Sequence, residues 1–217
     1  MIRCMSNPTD LRSRKRLATR QTISTAATKL FLERGFDHVT VDEIAAAADV
    51  GRMTVFNHFP RKEDMFFDRD EEIRSVLRAA LLQRTPGVAP VETLRLLAHR
   101  LAEQQVPFLT FSADSQGFVE TIEGSETLKA RARALREELT QVVAHALAEG
   151  AGHDPAHADA QLAAHLLLAT WTSALVQAHR TFRQKQHTGE AQAAFLAIID
   201  RGSIGLQAAM AGTSYDA

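Results

Sequence analysis

Arg52, Thr54, Asn57 and His58 crowd into seven residues, and all four are side-chain types that hydrogen-bond to base edges or to phosphate oxygens. Arginine can bond guanine O6 and N7 with both arms of its fork, and asparagine can bond adenine N6 and N7. Each such bidentate contact is worth roughly 1–3 kcal/mol of discrimination. Thr54 can bond a base edge or touch a thymine methyl, and Met53 lies beside it. Phe56 can pack on sugar or on a thymine methyl. Val55 and Phe59, four apart, mark the opposite side of the same segment as the anchored one. Thr40, His58 and Lys62 bracket the set and suit phosphate oxygens.

The elements that must hold these residues are legible from their punctuation. Apolar residues at Ile23, Ala26, Ala27, Leu30 and Phe31 give a helical face to a first helix over about 11–34, and Gly35 sits where a glycine ends it. Thr40 and Glu43 have the spacing of a capping box, with Val39 and Ile44 as the hydrophobic staple of a short second helix. Asp49-Val50-Gly51 interrupts it. A third short helix over about 52–58 stops before Pro60. Two short helices across a three-residue turn, behind a longer brace, make a helix-turn-helix pattern. The small residues Ala45 to Ala48 permit the close crossing.

Charge agrees with an anionic partner for this end. The chain as a whole carries a formal charge of −1, but residues 1–35 hold eight Lys or Arg against Asp10 and Glu33, a net of +6. Residues 70–217 hold 13 basic and 17 acidic side chains, a net of −4. The cluster Arg14-Lys15-Arg16 reads either as an idle tail or as an arm along phosphates or in the minor groove.

On these residues the chain resembles the TetR family of bacterial regulators. The resemblance rests on Thr40-Val-Asp-Glu-Ile-Ala and on Val50-Gly-Arg-Met-Thr-Val-Phe-Asn-His-Phe-Pro-Arg-Lys-Glu-Asp64, and covers about residues 15–66. It implies that Thr40, His58 and Lys62 clamp the DNA backbone while Arg52, Met53, Thr54 and Asn57 face bases. Two positions depart from the family pattern. Gly51 stands where a hydroxyl-bearing cap is usual, and Phe56 replaces a tyrosine whose hydroxyl reaches a phosphate.

The expected fold is all-α: a three-helix DNA-binding domain followed by a larger helical effector-binding and dimerisation domain. The boundaries read as a flexible basic arm over 1–14, the helix-turn-helix domain over 15–65, the body over 66–212 and a frayed tail over 213–217. A fourth helix is expected from about residue 61 to 83, and later ones at about 91–105, 125–150, 157–186 and 190–210. A less regular stretch covers 106–124, with a turn at 115–117.

Stripes on the last two helices include Leu167, Ala174 and Ala178, then Phe195, Ile198, Ile199, Gly202 and Leu206. A core stripe is the default reading. The resemblance implies a homodimer that pairs these helices and presents two recognition helices to a palindromic operator, with half-sites about 10 bp apart or a multiple of that. It also implies a small effector inside the body, of apolar, aromatic or acyl type. Leu97, Phe108, Phe111, Phe118 and Trp171, with Met65, are candidates to line its site. His99, His145, His165 and His179 are candidate polar contacts.

Several classes are disfavoured. Cys4 is the only cysteine, which rules out a disulfide framework or cysteine-based zinc module. No apolar run reaches about 18 residues, so no membrane span is expected, and the N-terminus lacks a signal-peptide core. A cytoplasmic protein follows. His153 and His157 are four apart, but Gly152 and Pro155 place His153 in a loop, and neither a metal site nor a cofactor is expected. Nucleophile elbow, phosphate-cradling glycine loop and paired carboxylates are all missing, which argues against an enzyme. An adaptor whose helix-turn-helix only packs is the third class, and the outward Arg52, Thr54, Asn57 and His58 argue against it. The leading reading is an effector-released repressor, with an activator or an effector-free regulator as the alternatives.

Overall fold

The computed structural model describes residues 8–85 and 87–216, with side chains from Leu11 onward. Among the described residues there are ten α-helices and no strand. They are α1 (Pro8–Arg34), α2 (Val41–Ala47), α3 (Arg52–His58), α4 (Lys62–Phe66) and α5 (Asp70–Leu82). Then follow α6 (Pro90–Glu103), α7 (Ala113–Glu123), α8 (Glu126–Gly150), α9 (Ala158–Lys185) and α10 (Thr188–Met210). The chain divides into two compact units. One runs to Asp68 and takes in Glu120–Arg131; the other holds Arg69–Val119 and Ala132–Ala217.

The first unit is built around aromatic rings. Phe31 of α1 lies 4.9 Å from Phe36 and 6.0 Å from Phe66, centroid to centroid. Ile23, Ala27, Ile44, Val55, Phe59, Met65 and Leu128 are fully buried around them. Gly35 at φ 81° ends α1 in a conformation that a side chain would resist, and its amide bonds the Phe31 carbonyl at 2.9 Å. Helix α1 starts at Pro8, so its first turns lie in the segment read from sequence as an arm.

The fourth helix is two helices. The chain breaks at Phe67, whose φ −100° and ψ 41° leave the helical region. Phe67 sets its ring edge-on to Phe66 at 5.3 Å, and Asp68 accepts a hydrogen bond from the Ser24 hydroxyl. Periodicity continued through this point because Met65, Ile73 and Leu77 keep a helical register on either side.

Two other expectations change. The turn expected at 115–117 is inside α7. Ser115 is the third residue of that helix and caps it reciprocally with Ser112: the Ser112 amide donates to Ser115 Oγ at 2.9 Å and the Ser115 amide to Ser112 Oγ at 3.3 Å. A serine pair that looked like a turn is a helix start. In place of a frayed tail, Tyr215 is buried in the second unit's core at 1% exposure, its hydroxyl 3.3 Å from His157 Nδ1.

Helices α9 and α10 pack along their lengths in the second unit. They approach closely at Gly202, where an added Cβ would stand 2.2 Å from Thr170 Cγ2 and 2.7 Å from its Oγ1. Gly202→Ala is therefore expected to lower stability by about 1–3 kcal/mol through overpacking. A chemical-denaturation midpoint that did not move would contradict this packing.

Candidate nucleic-acid interface

Helix α2 is fixed by its first turn. The Thr40 side chain accepts from the Glu43 amide at 3.3 Å, and Glu43 Oε2 accepts from the Thr40 amide and hydroxyl, each at 2.8 Å. Arg34 adds an ion pair to Glu43 at 2.8 Å. The Thr40 amide, then its hydroxyl, then Arg34 hold the Glu43 carboxyl down at a pKa of about 2. A depressed carboxyl stabilises the fold above its ordinary pKa of 4.5 and loses that contribution as pH falls toward about 2. Glu43→Gln is expected to flatten the fall in thermal stability over that window. A variant whose melts tracked the wild type throughout would contradict it.

Chain reversal between α2 and α3 takes place at Asp49, whose φ of 52° is left-handed. Helix α3 spans seven residues, too short to persist alone. Val55 and Phe59 bury it completely on one side. Arg20 of α1 holds its C-terminal end, donating to the His58 carbonyl at 2.7 Å and lying 4.0 Å over the Phe59 ring. Gly51 caps α3 with backbone alone.

What α3 presents outward is the predicted set. Arg52, Met53 and Asn57 are exposed, Met53 to 71%, and Thr54, Phe56 and His58 are half-buried. Arg52 pairs with Asp42 of α2 at 2.5 Å and lies 5.5 Å from the centre of the Phe56 ring. Its fork is thus held between a carboxylate and an aromatic face, which limits its rotamers. Burial, with Arg16 and Arg20 nearby, lowers the His58 pKa and favours a neutral imidazole.

Lys62 is placed differently from a free phosphate clamp. Its ammonium donates to the carbonyls of Phe36 at 2.7 Å and Val39 at 2.8 Å, 4.1 Å over the Phe36 ring. It satisfies the turn between α1 and α2. The Thr40 hydroxyl is likewise engaged with Glu43. Sequence reasoning missed Arg20 and Asp42 because their partners are 38 and 10 positions away, a separation no local pattern marks.

In the second unit, Leu97 and Phe111 are buried, and Phe108 and Trp171 are half-buried in the same cluster. Phe195 joins them, 5.9 Å from Trp171 and 6.1 Å from Phe111. Phe118 is half-buried outside that cluster, and Met65 belongs to the first unit. Of the four histidines, His179 meets the cluster, 5.2 Å from Phe111. His99 pairs with Asp200 at 2.8 Å, and His145 and His165 are exposed. A cavity between Val91, Leu94, Leu167 and Leu206 encloses about 10 Å³, far below the roughly 300–1,000 Å³ of a ligand site. His153 and His157 stack at 4.2 Å and 12°, ring on ring, and do not converge on a point.

The stripes read for a dimer face inward. Leu167, Ala174, Ala178, Phe195, Ile199 and Leu206 are buried within the chain, Ile198 is half-buried against the same core, and Gly202 abuts Thr170. Periodicity finds the wetter and drier faces of a helix, and here the drier one is the chain's own core. The outer faces nonetheless carry Leu162, Ala169 and Val176 on α9 and Ala197, Ile204 and Ala208 on α10, all exposed. Helix α10 is long and apolar enough by composition to cross a membrane, and only 28% of its apolar window is buried.

A helical chain whose first unit displays a short, braced, hydrogen-bonding helix after a four-residue turn, Ala48 to Gly51, has a helix-turn-helix. Residues 23–68 match the family model described as bacterial regulatory proteins, tetR family. Over 92 residues the chain is 36% identical to the HTH-type transcriptional regulator TcmR of Streptomyces glaucescens. That alignment takes in 42% of this chain, which spans 41% of that relative's length. Among solved structures, the SmeT–triclosan complex aligns at a TM-score of 0.57 and 20% identity, over 87% of this chain and 91% of the other. Thermus thermophilus FadR, a TetR-family transcriptional repressor in complex with lauroyl-CoA, aligns at 0.52 and 24%, over 86% and 92%. Over residues 23–68 this chain is thus similar to the bacterial tetR-family regulators.

Proposed function

We propose that the chain is a cytoplasmic transcriptional repressor that grips a palindromic DNA operator as a homodimer and releases it when a small apolar effector binds the second unit. The observation that carries the reading is α3 itself. Its inner face is fully anchored by Val55 and Phe59, while Arg52, Met53 and Asn57 are exposed and Thr54 is half-buried beside them, on the side that a recognition helix lays in the major groove. Phosphate contacts fall to His58, Thr40 and Lys62. The last two must first give up, or share, the partners they have in the free protein.

The exposed apolar strips of α9 and α10 support the dimer. Residues 162, 169 and 176, and 197 and 204, repeat at seven-residue spacing, the pattern of a helix seam seeking a partner. The apolar cluster of Phe111, Trp171 and Phe195 supports an aromatic or acyl effector, in keeping with the triclosan and lauroyl-CoA held by the two structural neighbours. Since the adjoining core is closed, such a ligand would have to open it, and the opened state would be the one that binds DNA poorly.

Selection from a randomised duplex pool tests the reading. The protein should enrich a palindrome with half-sites about 10 bp apart or a multiple of that. Thr54→Ala should relax the preference at one position per half-site by about 1–3 kcal/mol without reducing stability. Enrichment of no sequence, or a variant with the wild-type preference, would overturn it.

A further inference from the structure

We infer that the first turns of α1 form a phosphate-binding rail, in which Arg12, Arg16 and Arg20 lie along the DNA backbone next to the site read by α3. This rests on the proposed DNA-binding function. The three arginines are four residues apart, so they follow one side of the helix at about 6 Å intervals, drifting by about 40° per step. Arg20 fixes where that side faces, because its guanidinium touches the His58 carbonyl at the end of α3. The rail is therefore continuous with the recognition helix. Residues 11–18 are all exposed, and the first buried side chain of α1 is Ile23.

The charge arrangement is what an anion would complete. Several other arginines of this chain are paired: Arg34 with Glu43, Arg52 with Asp42, Arg74 with Asp70 and Glu138, Arg95 with Glu92 and Asp200, Arg131 with Asp64. Among the described residues, Arg12 and Arg16 have no carboxylate partner. Like charges at four-residue spacing repel one another on a helix. An unpacked helical stretch carrying that repulsion is weakly stabilised in the free protein. A duplex, with one negative charge per about 1.7 Å of axis, relieves it.

The test uses the full-length protein and a duplex that the wild type has itself selected from a randomised pool. The logarithm of the binding constant is measured against the logarithm of salt for wild type, Arg12→Gln/Arg16→Gln and Arg12→Lys/Arg16→Lys. The glutamine variant should have a slope shallower by about 0.9 for each lost contact, or about 1.8 per bound protomer, with its base preference and melting temperature unchanged. The lysine variant should keep the wild-type slope. Amide hydrogen exchange over residues 11–20 should slow when the duplex is added. An unchanged slope in the glutamine variant, or exchange that the duplex leaves as it was, overturns the rail. If the wild type itself binds no duplex in a salt-dependent way, the DNA-binding reading fails first, a distinguishable result.

Discussion

Ile204→Asp is expected to convert the protein to monomers and to weaken operator binding by about 10²–10⁴-fold. Ile204 is 68% exposed on α10, in line with the exposed Ala197 and Ala208, and α9 leaves Leu162, Ala169 and Val176 exposed. A carboxylate at the centre of an apolar seam must be desolvated with no partner, which two packed copies would not tolerate. The fold of each chain should survive, because the outer face contributes nothing to its own core. Two recognition helices on one duplex gain that factor through effective concentration, and separate subunits lose it. Sedimentation and a binding titration on the same sample read both effects. A variant that remained dimeric, or a monomer that bound as tightly as the wild type, would contradict the assignment of this face.

Lys62→Met is expected to destabilise the first unit by about 1–3 kcal/mol in the absence of any DNA. The methionine keeps the apolar stem over Phe36 and removes the ammonium, leaving the Phe36 and Val39 carbonyls to water or to nothing. Burial lowers the Lys62 pKa, against the pull of Asp37 and Glu63, so the charge is held at some cost even in the folded chain. A lysine whose only work was to meet phosphate would behave otherwise: its loss would weaken binding and leave the melting temperature alone. Thermal unfolding monitored without DNA separates the two, and an unchanged melt would return Lys62 to a purely DNA-facing role.

Local patterns were enough to place the caps. Thr40 and Glu43 lie three apart and make the capping box that spacing implies, and Val39 and Ile44 are both buried as the staple requires. The outward set on α3 was equally legible, because the anchors Val55 and Phe59 fix the other face. What could not be read depended on contacts across the chain. Arg20 reaches the end of α3 from α1, and Asp42 holds Arg52 from α2. The apolar stripes of the last two helices show a further limit. Hydrophobic periodicity selected Leu167, Phe195 and Ile199, the more apolar face, which the chain buries against itself. The face left exposed is less apolar, and only the packed structure tells the two apart. Ser115 carries the same lesson at smaller scale, since a serine near a glycine reads as a turn until its partner Ser112 is seen to cap a helix.

The most direct test of the central claim is an anisotropy titration of the wild-type protein with its pool-selected duplex and with a scrambled duplex of equal composition, across a range of salt. The account predicts that the selected duplex binds at least about 10³-fold more tightly. Both affinities should fall steeply as salt rises. Equal affinity for the two duplexes, or binding indifferent to salt, would contradict it.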